Sequence, residues 1–267
     1  LKVELRLWKL LKKEVEIEEI SIRNATFDTR DFIDGVVVNG HLGELYLESH
    51  GVVFSPETAR INEFSVKNTD VSLTLENMED TDTTTTEPIY WKILLDEIDF
   101  ENVGFALKMP QDSLFVRTML PKTTLKNGVI DLKEASYYVK SFGIDNAELA
   151  YGPKEELFLQ QIGLQLDSIY YCGKDIRANI EEFVLKERSG LELVSTEGRI
   201  VSDSVLIEIP KFTMKTTASS LDLQTKIGWD VLEMKKTGVL SARINAEIGK
   251  GDVAKILGGR DTLFLQT

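Results

Sequence analysis

Between Ile180 and Ile227 the chain reads IEEFVLKERSGLELVSTEGRIVSDSVLIEIPKFTMKTTASSLDLQTKI, a series of short runs in which apolar and polar residues take turns. Val205, Ile207 and Ile209 fall on one side of such a run, Leu206 and Glu208 on the other. Leu221 and Leu223 share a face, opposed by Asp222 and Gln224. A period of two gives a strand one oily face and one wet face. No catalytic motif lies in the stretch, so its chemistry is that of a surface.

The same pattern runs through the rest of the chain. VEIEEISIRNATF, from Val15 to Phe27, is a first strand block, and Glu18-Glu19 interrupts its alternation as a bulge would. Val36 to Leu47 reads as a hairpin about Asn39-Gly40, because Asn-Gly supplies the positive φ angles of a tight turn. Alternating runs continue from Ile61 to Leu75, from Trp91 to Met109 and from Leu114 onward, punctuated at Pro56, Pro110–Ser113, Gly152-Pro153 and Cys172-Gly173. Trp229 to Leu232 and Val239 to Ile248 read as the last strands. Helix spacing is rare. Leu7, Trp8, Leu10 and Leu11 suit two amphipathic turns that cap one end. Asp252 suits the cap of a helix over Val253 to Leu257 that stops at Gly258-Gly259.

About a dozen and a half short strands with spacers too short for crossover helices exclude a parallel α/β architecture. The expected fold is all-β, its strands joined mainly by hairpins into antiparallel meanders. A small motif fits one long sheet whose strands bend partway along. ISIRNATF, FSVKNTDVSL, IDFENVGFAL, LKNGVIDL and FGIDNAELAY each place an Asn (24, 68, 102, 127 and 146) between two alternating runs. The uneven spacing disfavours a β-helix of fixed turn length. Asn tolerates left-handed backbone angles, so each strand is expected to bend at its Asn. Residues 1–267 read as one continuous segment, with 76–88, ENMEDTDTTTTEP, as a mobile acidic and Thr-rich loop.

Charge narrows the partners. Lys and Arg number 31 against 44 Asp and Glu, a net −13, which argues against nucleic acid and against general adhesion to anionic lipid. The one cysteine, Cys172 beside Tyr170 and Tyr171, is expected to be a small buried hydrophobe. With two histidines and that cysteine, no ordinary zinc set can be assembled. The acids of 76–88 lack the spacing and the glycine of a calcium loop. Gly249-Lys-Gly251-Asp-Val-Ala254 matches GxGxxA only in letters, since an antiparallel sheet is the wrong context for a dinucleotide turn. Adjacent acids such as Asp96/Glu97 and Glu181/Glu182 face opposite ways on a strand and do not converge. The scattered tryptophans, Trp8, Trp91 and Trp229, give a carbohydrate-binding row little support. No metal, cofactor or catalytic residue is assigned.

The segments LLKKEVEIEEISIRNATF, LDEIDFENVGFALKMPQDSLFV, VIDLKEASYYVKSFGIDNAELAY and above all LKERSGLELVSTEGRIVSDSVLIEIPKFTMKTTASSLDL, with the closing ARINAEIGKGDVAKIL, resemble the TamB branch of the AsmA-like envelope proteins in its Bacteroidota form. The resemblance spans nearly the whole chain. It implies one long antiparallel, strongly curved open sheet with a few short helices at its ends, a taco-like groove with an apolar interior, non-enzymatic and periplasmic, carrying phospholipid between inner and outer membranes. It also implies an inner-membrane anchor upstream and a downstream region that meets an outer-membrane barrel protein, both outside this chain. No run here reaches the roughly 18 apolar residues of a membrane span, and the abrupt ends at VELRL and TLFLQT suit a piece of a longer protein.

On this reading the groove is lined by Phe100, Phe105, Leu107, Leu164, Leu166, Ile207, Ile209, Phe212, Met214, Leu221 and Leu223. Two alternatives share the pattern. Edge strands could pair with outer-membrane proteins during their assembly, and two packed sheets would bury alternating faces as an ordinary sandwich core.

Overall fold

The structure is a computed structural model that describes residues 2–5, 14–15, 17–29, 35–49, 51–54, 57–76, 90–234 and 238–256. Among these residues fifteen strands form a single sheet. They are β1 (Lys2–Leu5), β2 (Glu14–Val15), β3 (Ile17–Asp28), β4 (Val36–Glu48), β5 (Val52–Phe54), β6 (Glu57–Leu75), β7 (Lys92–Met109) and β8 (Leu114–Asp131). β9 (Ser136–Tyr151), β10 (Leu157–Cys172), β11 (Asp175–Glu187), β12 (Glu192–Ser202), β13 (Leu206–Thr216), β14 (Ser220–Gly228) and β15 (Leu240–Glu247) follow. The main path runs β1-β3-β4-β6 and then in chain order to β15, with the short β2 and β5 beside it. β1 and β15 stand at opposite ends and do not pair, so the sheet is open. Among the described residues two short helices, α1 (Trp229–Leu232) and α2 (Lys250–Ile256), lie near the β15 end.

The strands are fewer and longer than the sequence pattern suggests, because the Asn positions lie inside strands. Asn24, Asn68, Asn102, Asn127 and Asn146 all have φ between 50° and 54°, the left-handed region. Gln161 and Ser168 do the same within β10. Each such residue bends its strand without ending it. The bends line up. Asn68 and Asn102 are skipped together between the pairs Lys67↔Glu101 and Thr69↔Val103, and Asn102 Nδ2 donates to Asn68 Oδ1 at 3.2 Å. A second line passes through Asp96 and Asn127, skipped between Leu95↔Gly128 and Glu97↔Lys126. Two creases therefore cross the sheet and curve it. Thr69 serves the first crease, its hydroxyl accepting from the Gly43 N–H at 3.2 Å and donating to the Lys67 carbonyl.

Several expectations are corrected. Asn39-Gly40 is not a turn, for β4 runs straight through it. Gly40 is there because its backbone presses on β6, where a Cβ would collide with the Asp70 carbonyl oxygen. Trp229 to Leu232 is a helical turn rather than a strand. Val205 precedes β13 in the turn closed by Asp203, so it takes no part in that strand's alternation. α2 begins at Lys250, which places Asp252 inside its first turn instead of at the cap. Cys172, at the end of β10, is half-exposed, its Sγ 3.6 Å from the Glu134 carbonyl.

One pairing departs from the antiparallel rule. β6 and β7 run parallel, from Thr58↔Lys92 to Thr74↔Lys108, because the stretch between Leu75 and Lys92 is long enough to return the chain to the start of the strand. The bulge expected at Glu18-Glu19 is found, Glu18 being skipped between Glu4↔Glu19 and Leu5↔Ile17. The amphipathic turns at Leu7–Leu11, most of 76–88 and the Gly258-Gly259 stop lie outside the described residues.

Candidate functional site

The creases dictate how the apolar face is built. Along β7 the apolar positions are Ile93 and Leu95, then Ile98 and Phe100, then Val103, Phe105, Leu107 and Met109. Steps of two slip to three at each crease. β9 slips between Val139 and Phe142 and between Ile144 and Ala147, and β10 between Leu159 and Ile162 and between Leu166 and Ile169. A bend that consumes one residue would turn the next side chain to the wrong face, and the shifted pattern keeps it on the right one.

Register then joins these positions across strands. One row runs Ile20, Leu47, Phe64, Ile98, Leu125, Phe142, Leu166, Ile180, Gly198, Phe212, Leu223, Ile244, with one residue from each of twelve strands. Gly198 breaks the row of side chains only in name, since the Phe212 ring leans over its Cα. A neighbouring row runs Ile22, Leu45, Val66, Phe100, Thr123, Ile144, Leu164, Phe183. Phe64 and Phe100 meet edge to face, their centroids 6.2 Å apart.

All eleven residues expected to line a groove share this face. Phe100, Phe105 and Leu107 come from β7 and Leu164 and Leu166 from β10. Ile207, Ile209, Phe212 and Met214 come from β13, and pair with Ile227, Thr225, Leu223 and Leu221 of β14. The residues missed are their neighbours in the same rows, among them Phe64, Ile98, Leu125 and Phe142. Counting by twos and adding one at each Asn would have found most of them.

Nothing in the described structure covers the face. All the described strands belong to one sheet, and no large side chain is fully buried. A two-layer sandwich of this size would bury many Leu, Ile and Phe completely. Here the large apolar residues stay half-exposed, and only Leu95 at 8% and Val66 at 9% fall below a tenth. With no layer above them, only neighbours on the same face can shield these two. The sandwich reading is set aside for the described residues.

Charge is kept to the other face and to the strand ends. Lys67–Glu101 at 3.3 Å, Lys126–Glu97 at 2.9 Å and Lys226–Glu208 at 2.9 Å are cross-strand pairs on the outer face. Asp96 there accepts from Arg60 and from Asn62, each at 2.9 Å. The acids in register with the apolar face, Glu57 and Glu187, sit at a strand start and a strand end. The hydroxyl and backbone N–H of Ser189 hold the Glu187 carboxyl below its usual range. Within the face the polar residues are threonines and Ser202, and the buried hydroxyls of Thr123 and Thr196 have no partner.

A depression of about 340 Å³ opens over Gly104 and Ala106, with His41, Asp70, Arg117, Met119, Glu148 and Phe158 around it. These residues belong to the outer face, and Arg117 is already held by Glu155 at 2.6 Å. Among the described residues no group of His, Cys, Asp and Glu is arranged to hold a metal ion, and no helix is long and apolar enough to cross a membrane. Comparison with protein-family models gives no match for this chain, and comparison with curated proteins gives none either.

Proposed function

We propose that the apolar face carries phospholipid acyl chains, and that this chain is a periplasmic segment of an envelope-spanning lipid conduit of the TamB type. The inner-membrane anchor and the contact with an outer-membrane barrel would belong to parts of the protein beyond these residues. The observation that carries the reading is the uncovered apolar row across twelve strands. At about 4.8 Å per strand it offers a path of roughly 50 Å. A ~14-carbon acyl chain costs roughly 11 kcal/mol to hold in water at about 0.8 kcal/mol per CH₂. A continuous apolar lining removes most of that cost at every point along the path. Non-directional contacts of this kind let a chain slide, and no catalytic group is required.

Three measurements test this. Phospholipid should co-purify with the protein, and a photo-crosslinking residue at Ile207 should label lipid in cells. Leu166→Glu, which puts a charge in the middle of the twelve-strand row, should lower the bound phospholipid about tenfold or more while leaving the folded spectrum intact. Absence of lipid in the purified protein together with crosslinks to protein alone would overturn the reading. If those crosslinks were to nascent barrel proteins and came from edge positions, the assembly role by strand pairing would take its place.

A further inference from the structure

Among the described residues β15 is the last strand of the sheet, and the charges of Arg243 and Glu247 are all that guards its unpaired edge. All eight residues of β15 are exposed, with Leu240 at 65% and Ile244 at 63%. The strand contains no proline, lysine or bulge. α2 follows it closely but does not lie along it. The Asp252 carboxylate accepts from the hydroxyls of Thr216 and Ser219 and holds the helix over the β13–β14 turn.

The backbone phase of this edge follows from its other side. The Gly228 N–H donates to the Val239 carbonyl at 2.7 Å, and the register continues through Lys226↔Ser241, Gln224↔Arg243 and Asp222↔Asn245. In an antiparallel pair a residue turns both its N–H and its C=O to the same side. Ser241, Arg243, Asn245 and Glu247 therefore turn theirs toward β14. Leu240, Ala242, Ile244 and Ala246 turn theirs outward, and the same four carry the apolar face, opposite Ile227, Thr225, Leu223 and Leu221.

We propose that β15 is a dimerisation edge, where a second copy of this chain pairs antiparallel about a two-fold axis at Asn245. The free N–H and C=O groups require an even-numbered residue opposite an even-numbered one, and this also keeps both apolar faces on the same side. Charge chooses among the registers that remain. Centring on Arg243 sets two arginines against each other, and centring on Ile244 leaves both charges facing neutral residues. Centring on Asn245 places Arg243 opposite Glu247 of the second copy, twice over. It also sets Ile244 against Ala246 and the exposed Ile248 against Ala242, large against small. Arg243 and Glu247 form no ion pair with other described residues, so both are available. The dimer carries one uninterrupted apolar face twice as long as the monomer's. This holds whatever the face binds.

Sedimentation velocity of the whole chain should show a dimer whose population rises with concentration. Glu247→Arg should weaken it about tenfold by turning two attractive cross-strand pairs repulsive, and adding Arg243→Glu should restore it. In a Cys172→Ser background, Asn245→Cys should oxidise to a covalent dimer on a non-reducing gel. A non-hydrogen-bonded antiparallel pair brings its Cα atoms to about 4.5 Å, within disulfide range. Ser241→Cys, far from the axis, should not. A monomer at every concentration up to about 100 µM, or a dimer indifferent to both charge substitutions, would overturn the proposal.

Discussion

At the scale of single residues, the molecule depends on a backbone angle that most residues avoid. An L-residue in the left-handed region loses roughly 1–2 kcal/mol, and Asn loses less because its short amide bonds locally. Asn102, at φ 52° and exposed, is the clearest case, with its amide bonded to Asn68 of the adjacent strand. Asn102→Ala should cost about 1–2 kcal/mol in guanidinium unfolding, and Asn102→Gly, which keeps the backbone free to adopt the angle, clearly less. Equal losses would show that the amide bond matters and the angle does not. These bends are legible in the sequence, because Asn recurs between alternating runs. Gln161 and Ser168 were not, since neither residue type signals a left-handed angle and the surrounding strand imposes it. Asn39 misled for the matching reason. Its Asn-Gly pair spells a turn, but the glycine answers to close approach by the Asp70 carbonyl of a strand 30 residues further on, a tertiary fact that no local window contains.

At the scale of elements, α2 shows how a short helix is held where its own stability is slight. Seven residues are too few to persist alone. The helix is fixed through Asp252, whose carboxylate accepts from Ser219 Oγ at 2.6 Å, from Thr216 Oγ1 and, more weakly, from Thr217 Oγ1 at 3.4 Å. Lys255 of the same helix lies 4.0 Å from the carboxylate. The hydroxyls of Ser219 and Thr216 hold the Asp252 carboxyl below its ordinary value of 3.8. A lowered folded-state pKa contributes stability that is fully present above the unfolded value and is lost as pH falls through the folded one. The latch is therefore secure at neutral pH and releases only in acid. Asp252→Asn should lower the melting temperature at pH 7. Between about pH 5 and pH 3 its melting temperature should fall less steeply than that of the wild type, because the titrating group is gone. Parallel slopes would show that Asp252 is not coupled to folding. The helix itself was foreseen from Asp252 and the glycines beyond it. Its latch was not, because the Thr-Thr-Ala-Ser turn lies more than thirty residues earlier.

At the scale of the whole molecule, the apolar face was expected as a list of eleven residues, and the structure shows them to be samples from continuous rows. The one-residue slip at each crease hid the rest, since strict alternation loses the face after Asp96 and again after Asn102. The parallel seam between β6 and β7 was not foreseen either, and it bears on how the chain reaches its fold. From β7 to β14 neighbouring strands are hairpins, whose first pairs close over a handful of residues, so that each new strand can zip onto the last. The seam has no such starting point. Every pair across it, from Thr58↔Lys92 to Thr74↔Lys108, is separated by 34 residues, so the full loop-closure entropy is lost before the first hydrogen bond is gained. Pulse-labelled hydrogen exchange should find the β7–β8 and β9–β10 hairpins protected before the β6 amides that face β7. Simultaneous protection would rule this order out. Two zippers that close separately and meet last at one line make that line the latest contact to form, and the place where a half-finished sheet exposes its longest open edge to the solvent.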